Sequence, residues 1–165
     1  MPFAAPPVGA LRFRRSAPCP AWEGTLGCTE FGCISPQARP SQVPAEQICD
    51  ENCLYLNVQN AAGSTNVPVF VYIHGGGFRQ GAGSEPLCNY TSNPHHCHAP
   101  QVNRLRAVTD DSPTMVLGGI CVVTINYRLG ALGWMKATDG DANCGLWDQI
   151  AALQYAHEQS SLQCD

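Results

Sequence analysis

Charge is scarce in this chain. Asp, Glu, Lys and Arg make up 13% of its 165 residues, about half the ~25% usual in globular proteins. That is too little for an ordinary water-facing surface, and it points to a buried sheet or to a segment that normally has more protein around it. A basic surplus is missing too: 9 Lys and Arg stand against 13 Asp and Glu, a formal charge of −4. Electrostatic binding of nucleic acid needs a basic face, so that class is excluded. No apolar run reaches the ~20 residues of a membrane-spanning helix. The longest near-apolar stretch, Met115 to Ile125, reads instead as a buried strand. Met1-Pro2 opens without the basic-then-apolar pattern of a secretory leader. Neither an internal repeat nor a coiled-coil heptad is present.

Two things are plentiful. Hydrophobic residues reach 44%, which excludes a disordered chain. Cysteines number ten: Cys19, Cys28, Cys33, Cys49, Cys53, Cys88, Cys97, Cys121, Cys144 and Cys164. So many favour a secreted or ER location, while the opening residues carry no leader to match, so the sequence assigns no compartment.

Pro6-Pro7 and Gly9 make the opening extended and turning rather than helical. Residues 24–48 read as a loop rich in Gly, Pro and Ser. From Cys53 to Asn60, Leu54, Leu56 and Val58 alternate with Tyr55 and Asn57, the period of a strand. A turn follows at Ala62-Gly63-Ser64. Pro68 to His74 is a short continuous apolar run, expected to be a strand covered on both faces as in a parallel sheet. Residues 79–114 are polar with little periodicity, and Gly119 to Tyr127 reads as a second buried strand. A helix is predicted over Gly145 to Glu158, with Leu146, Ile150, Leu153 and His157 on one face. This alternation predicts an α/β layered protein.

The run His74-Gly75-Gly76-Gly77-Phe78 carries the clearest chemistry. Three glycines free the backbone for positive φ and clear side chains away, so N–H groups can approach a substrate. Two N–H groups aimed at one point can stabilise the oxyanion of an acyl transfer, each donor contributing roughly 2.7–4 kcal/mol. Turns of this type supply the oxyanion hole in lipases and esterases. A phosphate loop would carry Lys-Ser/Thr after the glycines, whereas Phe78-Arg79-Gln80 follows here.

Six stretches, taken in order, resemble the type-B carboxylesterases, a family that includes cholinesterases, lipases and non-catalytic adhesion relatives of the neuroligin type. They are Pro2 to Phe13, Trp22-Glu23-Gly24, Glu51 to Asn57, Val71 to Phe78, Asn126 to Gly133, and Asn143 to Gln149. The resemblance implies an α/β-hydrolase fold, of which residues 1–165 would be the incomplete N-terminal part of one domain. It places the oxyanion donors on Gly76 and Gly77 and implies two structural ion pairs, Arg12 with Glu51 and Arg128 with Asp148. The planar guanidinium fork suits a carboxylate at such sites. It makes Cys53 a disulfide cysteine with an upstream partner: Cys33, which lies two residues ahead of the family's C-x-Q, is the candidate, and Cys28 and Cys49 compete with it. It implies no cofactor, a small-molecule ester as substrate of the complete relative, and no choline site, since Gln42 to Glu46 holds no aromatic.

Esterases of this family use a Ser-acid-His triad, with Ser in G-x-S-x-G. No serine of this chain has glycine at both offsets, and His157 reads as a helix-face residue rather than the base. The chain is therefore expected to be inactive alone, with an adhesion-like interaction module or a truncated gene product as the alternative. Asn89-Tyr90-Thr91 is a glycosylation sequon, meaningful only in a secreted chain. His95-His96-Cys97-His98, near Cys88, reads as a loop insertion and not as a metal site, because adjacent ligands cannot readily converge on one ion.

Overall fold

A computed structural model describes residues 1–38, 43, 47–60, 65–85 and 119–159. The turn expected at Ala62-Gly63-Ser64, the sequon at Asn89 and the His95–His98 run lie outside the described residues. Three strands form one sheet: β1 (Leu56–Gln59), β2 (Val69–Ile73) and β3 (Cys121–Ile125), in the order β1-β3-β2. β1 pairs antiparallel with β3, Leu56 opposite Ile125 and Gln59 opposite Val122. β2 runs parallel to β3, from Val69 opposite Cys121 to Ile73 opposite Ile125. The opening segment lies against the start of β1. Phe3 N–H donates to the Leu54 carbonyl at 3.1 Å and Leu56 N–H to the Met1 carbonyl at 2.9 Å. A short helix α1 (Gly130–Trp134) and a long helix α2 (Cys144–Gln159) follow β3. No helix among the described residues is long and apolar enough to cross a membrane.

β3 is the centre of the molecule, and all five of its residues are buried. Around it Phe3, Cys53, Leu54, Leu56, Tyr127, Leu129 and Ala152 form the core, with Met1, Val71, Trp134 and Tyr155 packed on its margin. β2 departs from the sequence expectation. It is not covered on both faces: Val69, Phe70 and Ile73 are 40%, 36% and 37% exposed. Among the described residues β2 has one neighbour, β3, so it is a sheet edge with an apolar surface.

Helix α2 also turns a different side inward from the one its leucines mark. Leu146 and Leu153 are exposed, and the buried residues are Cys144, Gly145, Asp148 and Ala152. Small residues explain the choice. A Cβ on Gly145 would sit 2.5 Å from the Arg128 carbonyl oxygen and 3.2 Å from the Trp134 ring. A larger residue there would lift the helix off the chain that leaves β3, and only a glycine permits the close approach.

Candidate functional site

The glycine turn leaves the C-terminal end of β2, the edge at which parallel strands of α/β sheets present their ligands. Gly76 and Gly77 hold φ of +108° and +61°, and Phe78 holds +60°. Positive φ at a bulky residue such as Phe78 is an outlier that surrounding structure must enforce. Arg79 N–H and Gln80 N–H both donate to the Gly76 carbonyl, at 3.2 and 3.3 Å. This tightens the turn until a Cβ at Gly76 would strike the Gln80 carbonyl oxygen. The Gly76 and Gly77 N–H groups donate to no acceptor among the described residues, and both glycines are exposed.

Neighbouring segments hold this turn at both ends. At its entry the Tyr127 hydroxyl donates to the His74 carbonyl at 2.9 Å. The Tyr127 ring stacks on the His74 imidazole, centroids 4.4 Å apart. At its tip Gly130 N–H donates to the Phe78 carbonyl at 2.8 Å, and the Phe78 ring leans on Trp134 with centroids 4.3 Å apart. His74 is 3% exposed. Its Nδ1 lies 2.8 Å from the Gly75 carbonyl, which assigns the proton to Nδ1 in the neutral ring. Burial holds the His74 pKa below the ordinary imidazole value, against the smaller opposing effect of that hydrogen bond. His74 is thus a neutral packing element of the turn.

The structure brings the two Arg–carboxylate pairs together in different settings. Arg12 meets Glu51 bidentately, Nε to Oε2 at 2.6 Å and a terminal nitrogen to Oε1 at 2.8 Å, with both side chains partly in water. Arg128 meets Asp148 at 2.8 and 2.7 Å, with side-chain exposures of 2% and 0%. Asp148 also accepts the Arg128 backbone N–H at 3.0 Å and the Ser16 hydroxyl at 2.6 Å. Burial pulls the Arg128 pKa down, but the hydrogen bond and charge of Asp148 outweigh it, so the net shift is upward. The second pair therefore ties the exit of β3 to helix α2 at full charge.

Cys33 and Cys53 are not joined; both are free thiols, as are Cys28 and Cys49. Cys53 is fully buried, and its hydrogen-bond partner is Ser35, not Cys33. Cys33 sits half-buried near Asp50 and Cys49. The two-residue offset puts a serine hydroxyl where a second sulfur would have to be. Burial, reinforced by the nearby charge of Asp148, pushes the Cys53 thiol up to about 12. His157 is exposed near the end of α2, away from the glycine turn in sequence and on the solvent side of its helix.

Sequence reasoning missed a polar network behind the turn. Gly83 N–H donates to Asn126 Oδ1 at 2.8 Å, Asn126 Nδ2 to the Cys33 carbonyl at 3.1 Å, and Thr124 Oγ1 to the Gly83 carbonyl at 2.7 Å. Gln37 and Ser35 belong to it: Ser35 Oγ accepts the Leu129 N–H at 2.9 Å, and Gln37 holds Gly81. Apart from Thr124, which lies in β3, these residues are singletons in irregular segments, so no periodicity marks them. The available signal for Gln37 was its place in the family's C-x-Q word.

Comparison with known proteins places this geometry. The model of the Carboxylesterase family matches residues 1–160. Para-nitrobenzyl esterase of Bacillus subtilis is 37% identical over 98% of this chain, which corresponds to 30% of that protein. Juvenile hormone esterase of Tribolium castaneum is 34% identical over 99% of this chain and 24% of its own length. Neuroligin-3 of Mus musculus is 29% identical over 96% of this chain and 22% of its own length. Among solved structures, a thermophilic PNB esterase superposes with a TM-score of 0.77 at 36% identity, covering 96% of this chain and 30% of that one. A PNB esterase gives 0.72 at 38% identity over 96% and 29%. The chain thus spans under a third of the length of these relatives. A family match over nearly every residue, with the partial α/β-hydrolase sheet to go with it, means that the chain belongs to the carboxylesterase family.

Proposed function

We propose that this chain is the oxyanion-stabilising portion of a carboxylic-ester hydrolase that works through a serine acyl-enzyme. The observation that carries the reading is the turn at Gly76 and Gly77: exposed, at positive φ, with two N–H groups that serve no acceptor among the described residues. Such donors stabilise charge that develops on a carbonyl oxygen. Ester-cleaving relatives support the substrate class. The 165 residues contain no G-x-S-x-G, so the reading makes this chain inactive by itself. Residual catalysis without a triad is at most ~10³–10⁴-fold over water, and even that needs a formed pocket.

Purified chain mixed with p-nitrophenyl acetate and butyrate is expected to give no turnover that a serine-directed fluorophosphonate abolishes. Serine-dependent turnover would overturn the inactivity. Fusing this chain to the remainder of para-nitrobenzyl esterase is expected to give an active chimera. In that chimera Gly76→Ala, which forces a Cβ against the Gln80 carbonyl, is expected to lower kcat by roughly 10²–10³, the effect of losing one oxyanion donor. An active chimera indifferent to Gly76→Ala would overturn the assignment. The identity to Neuroligin-3 favours a second reading, a non-catalytic interaction module. An in-frame continuation of the transcript that carries a complete domain with the nucleophile serine replaced would select it.

A further inference from the structure

We propose that Gln37 is a positioning residue that sets the conformation of the glycine turn from a loop outside it; this rests on the oxyanion reading of Gly76 and Gly77. The Gln37 carboxamide grips Gly81 at both of its backbone groups. Oε1 accepts the Gly81 N–H at 2.7 Å, and Nε2 donates to the Gly81 carbonyl at 2.9 Å. A primary amide is the side-chain group that offers a donor and an acceptor side by side, as a neighbouring strand would.

The grip has somewhere to bear. Nε2 also donates to the Ser35 carbonyl at 3.1 Å. Ser35 is 2% exposed, and its hydroxyl accepts the Leu129 N–H at the exit of β3. One residue earlier, Ile34 is fully buried and exchanges backbone bonds with Ile48 and Asp50, at 2.9 and 3.0 Å. Gln37 is thus braced on the core while it holds Gly81.

Gly81 in turn bears on the glycine turn. It takes φ of +117°, and a Cβ on it would meet His74 Nδ1 and, at 2.7 Å, the Gly75 carbonyl. The backbone of Gly81 therefore lies directly against the entry of the turn, where His74 hydrogen-bonds Gly75. The Gly76 carbonyl accepts from Arg79 and Gln80, the residues that lead into Gly81. Fixing Gly81 fixes both ends of the segment between His74 and Gly81. Tyr127 and Gly130 hold its entry and tip, and Gln37 supplies the exit. Neither bond of the Gln37 grip on Gly81 involves an ionisable group.

The test uses the full chain with ¹⁵N-labelled glycine, read by amide NMR and hydrogen exchange. Gly145, buried in the first turn of helix α2, reports whether the fold is intact. In Gln37→Ala the Gly81 N–H is expected to exchange roughly five- to tenfold faster, the effect of one net hydrogen bond. The Gly76 and Gly77 signals shift while Gly145 stays in place. Gln37→Glu keeps an acceptor for the Gly81 N–H but turns a carboxylate toward the Gly81 and Ser35 carbonyls. There Gly81 stays protected and Gly76 and Gly77 still move. Wild-type Gly76 and Gly77 signals in whichever variant retains Gly145 overturn the proposal. Loss of Gly145 in both variants also overturns it, because Gln37 would then be holding the fold at large. No ester enters the measurement, so its failure leaves the oxyanion reading standing, and an inactive chimera leaves the clamp standing.

Discussion

Replacing Asp148 by Asn tests how the long helix is fastened to the sheet. The carboxylate accepts from Arg128 Nε, a terminal Arg128 nitrogen, the Arg128 backbone N–H and the Ser16 hydroxyl. Asn removes the charge and turns an NH₂ donor toward groups that are themselves donors. Arg128, with 2% of its side chain exposed, is left charged without compensation, and its remaining terminal nitrogen already has no partner among the described residues. Breaking a buried pair in this way costs about 3–5 kcal/mol. Against a total stability of roughly 5–15 kcal/mol for a typical domain, that is a large share. With a urea slope of about 1–3 kcal/mol per molar, the unfolding midpoint is expected to fall by at least ~1 M at unchanged slope. Circular dichroism at 222 nm follows the transition. The double variant Arg128→Met, Asp148→Leu is expected to recover much of the loss, since no unpaired charge remains. Glu51→Gln at the solvent-washed pair is expected to leave the midpoint almost unmoved. A midpoint for Asp148→Asn as little changed as that of Glu51→Gln would refute the reasoning, because it would mean that water reaches Arg128.

Three further outcomes are expected. Alkylation at pH 8 followed by mass spectrometry should label exposed Cys28 and Cys49 and spare Cys53, which is buried with its thiol pushed up to about 12; rapid labelling of Cys53 in folded chain would contradict its placement. His74 has a folded pKa below its unfolded value of roughly 6.5, so its contribution is complete above that value and is lost as pH falls toward the folded one; urea midpoints at pH 5 and 7 should differ less in His74→Gln than in the parent. Gly81→Ala should destabilise the chain more than Gly77→Ala, since the first Cβ meets His74 and Gly75 while the second finds nothing within 4 Å; equal thermal shifts would show that Gly81 has room.

The elements that announce themselves by period or by glycine were readable from the residues. β1 and β3 fall within the stretches marked by alternation and by a continuous apolar run, and α2 exceeds the stretch marked by helical spacing by one residue at each end. Readings that depended on a neighbour failed. The apolar run of β2 cannot say whether a second strand flanks it, and among the described residues none does. The leucines of α2 drew its inward face to the wrong side, because close approach to Arg128 favoured Gly145, Ala152 and an ion-paired Asp148 over bulk. Pairing Cys33 with Cys53 ignored that Ser35 is the residue facing Cys53. Gln37 reaches Gly81 across 44 positions of chain, and a single amide in an irregular loop has no pattern to betray it.

The strand order also governs how the chain can assemble as it is made. β1 and β2 are consecutive in sequence, yet each meets β3 and not the other. Among the described residues their shared partner is Cys121–Ile125, which is synthesised about fifty residues after β2 is complete. At ribosomal speed that is a wait of roughly 3–10 s, during which Val69–Ile73 is an apolar segment still without β3 to join. A nascent-chain binding factor has its widest opportunity in that interval, and slow codons placed there would prolong the hazard rather than relieve it.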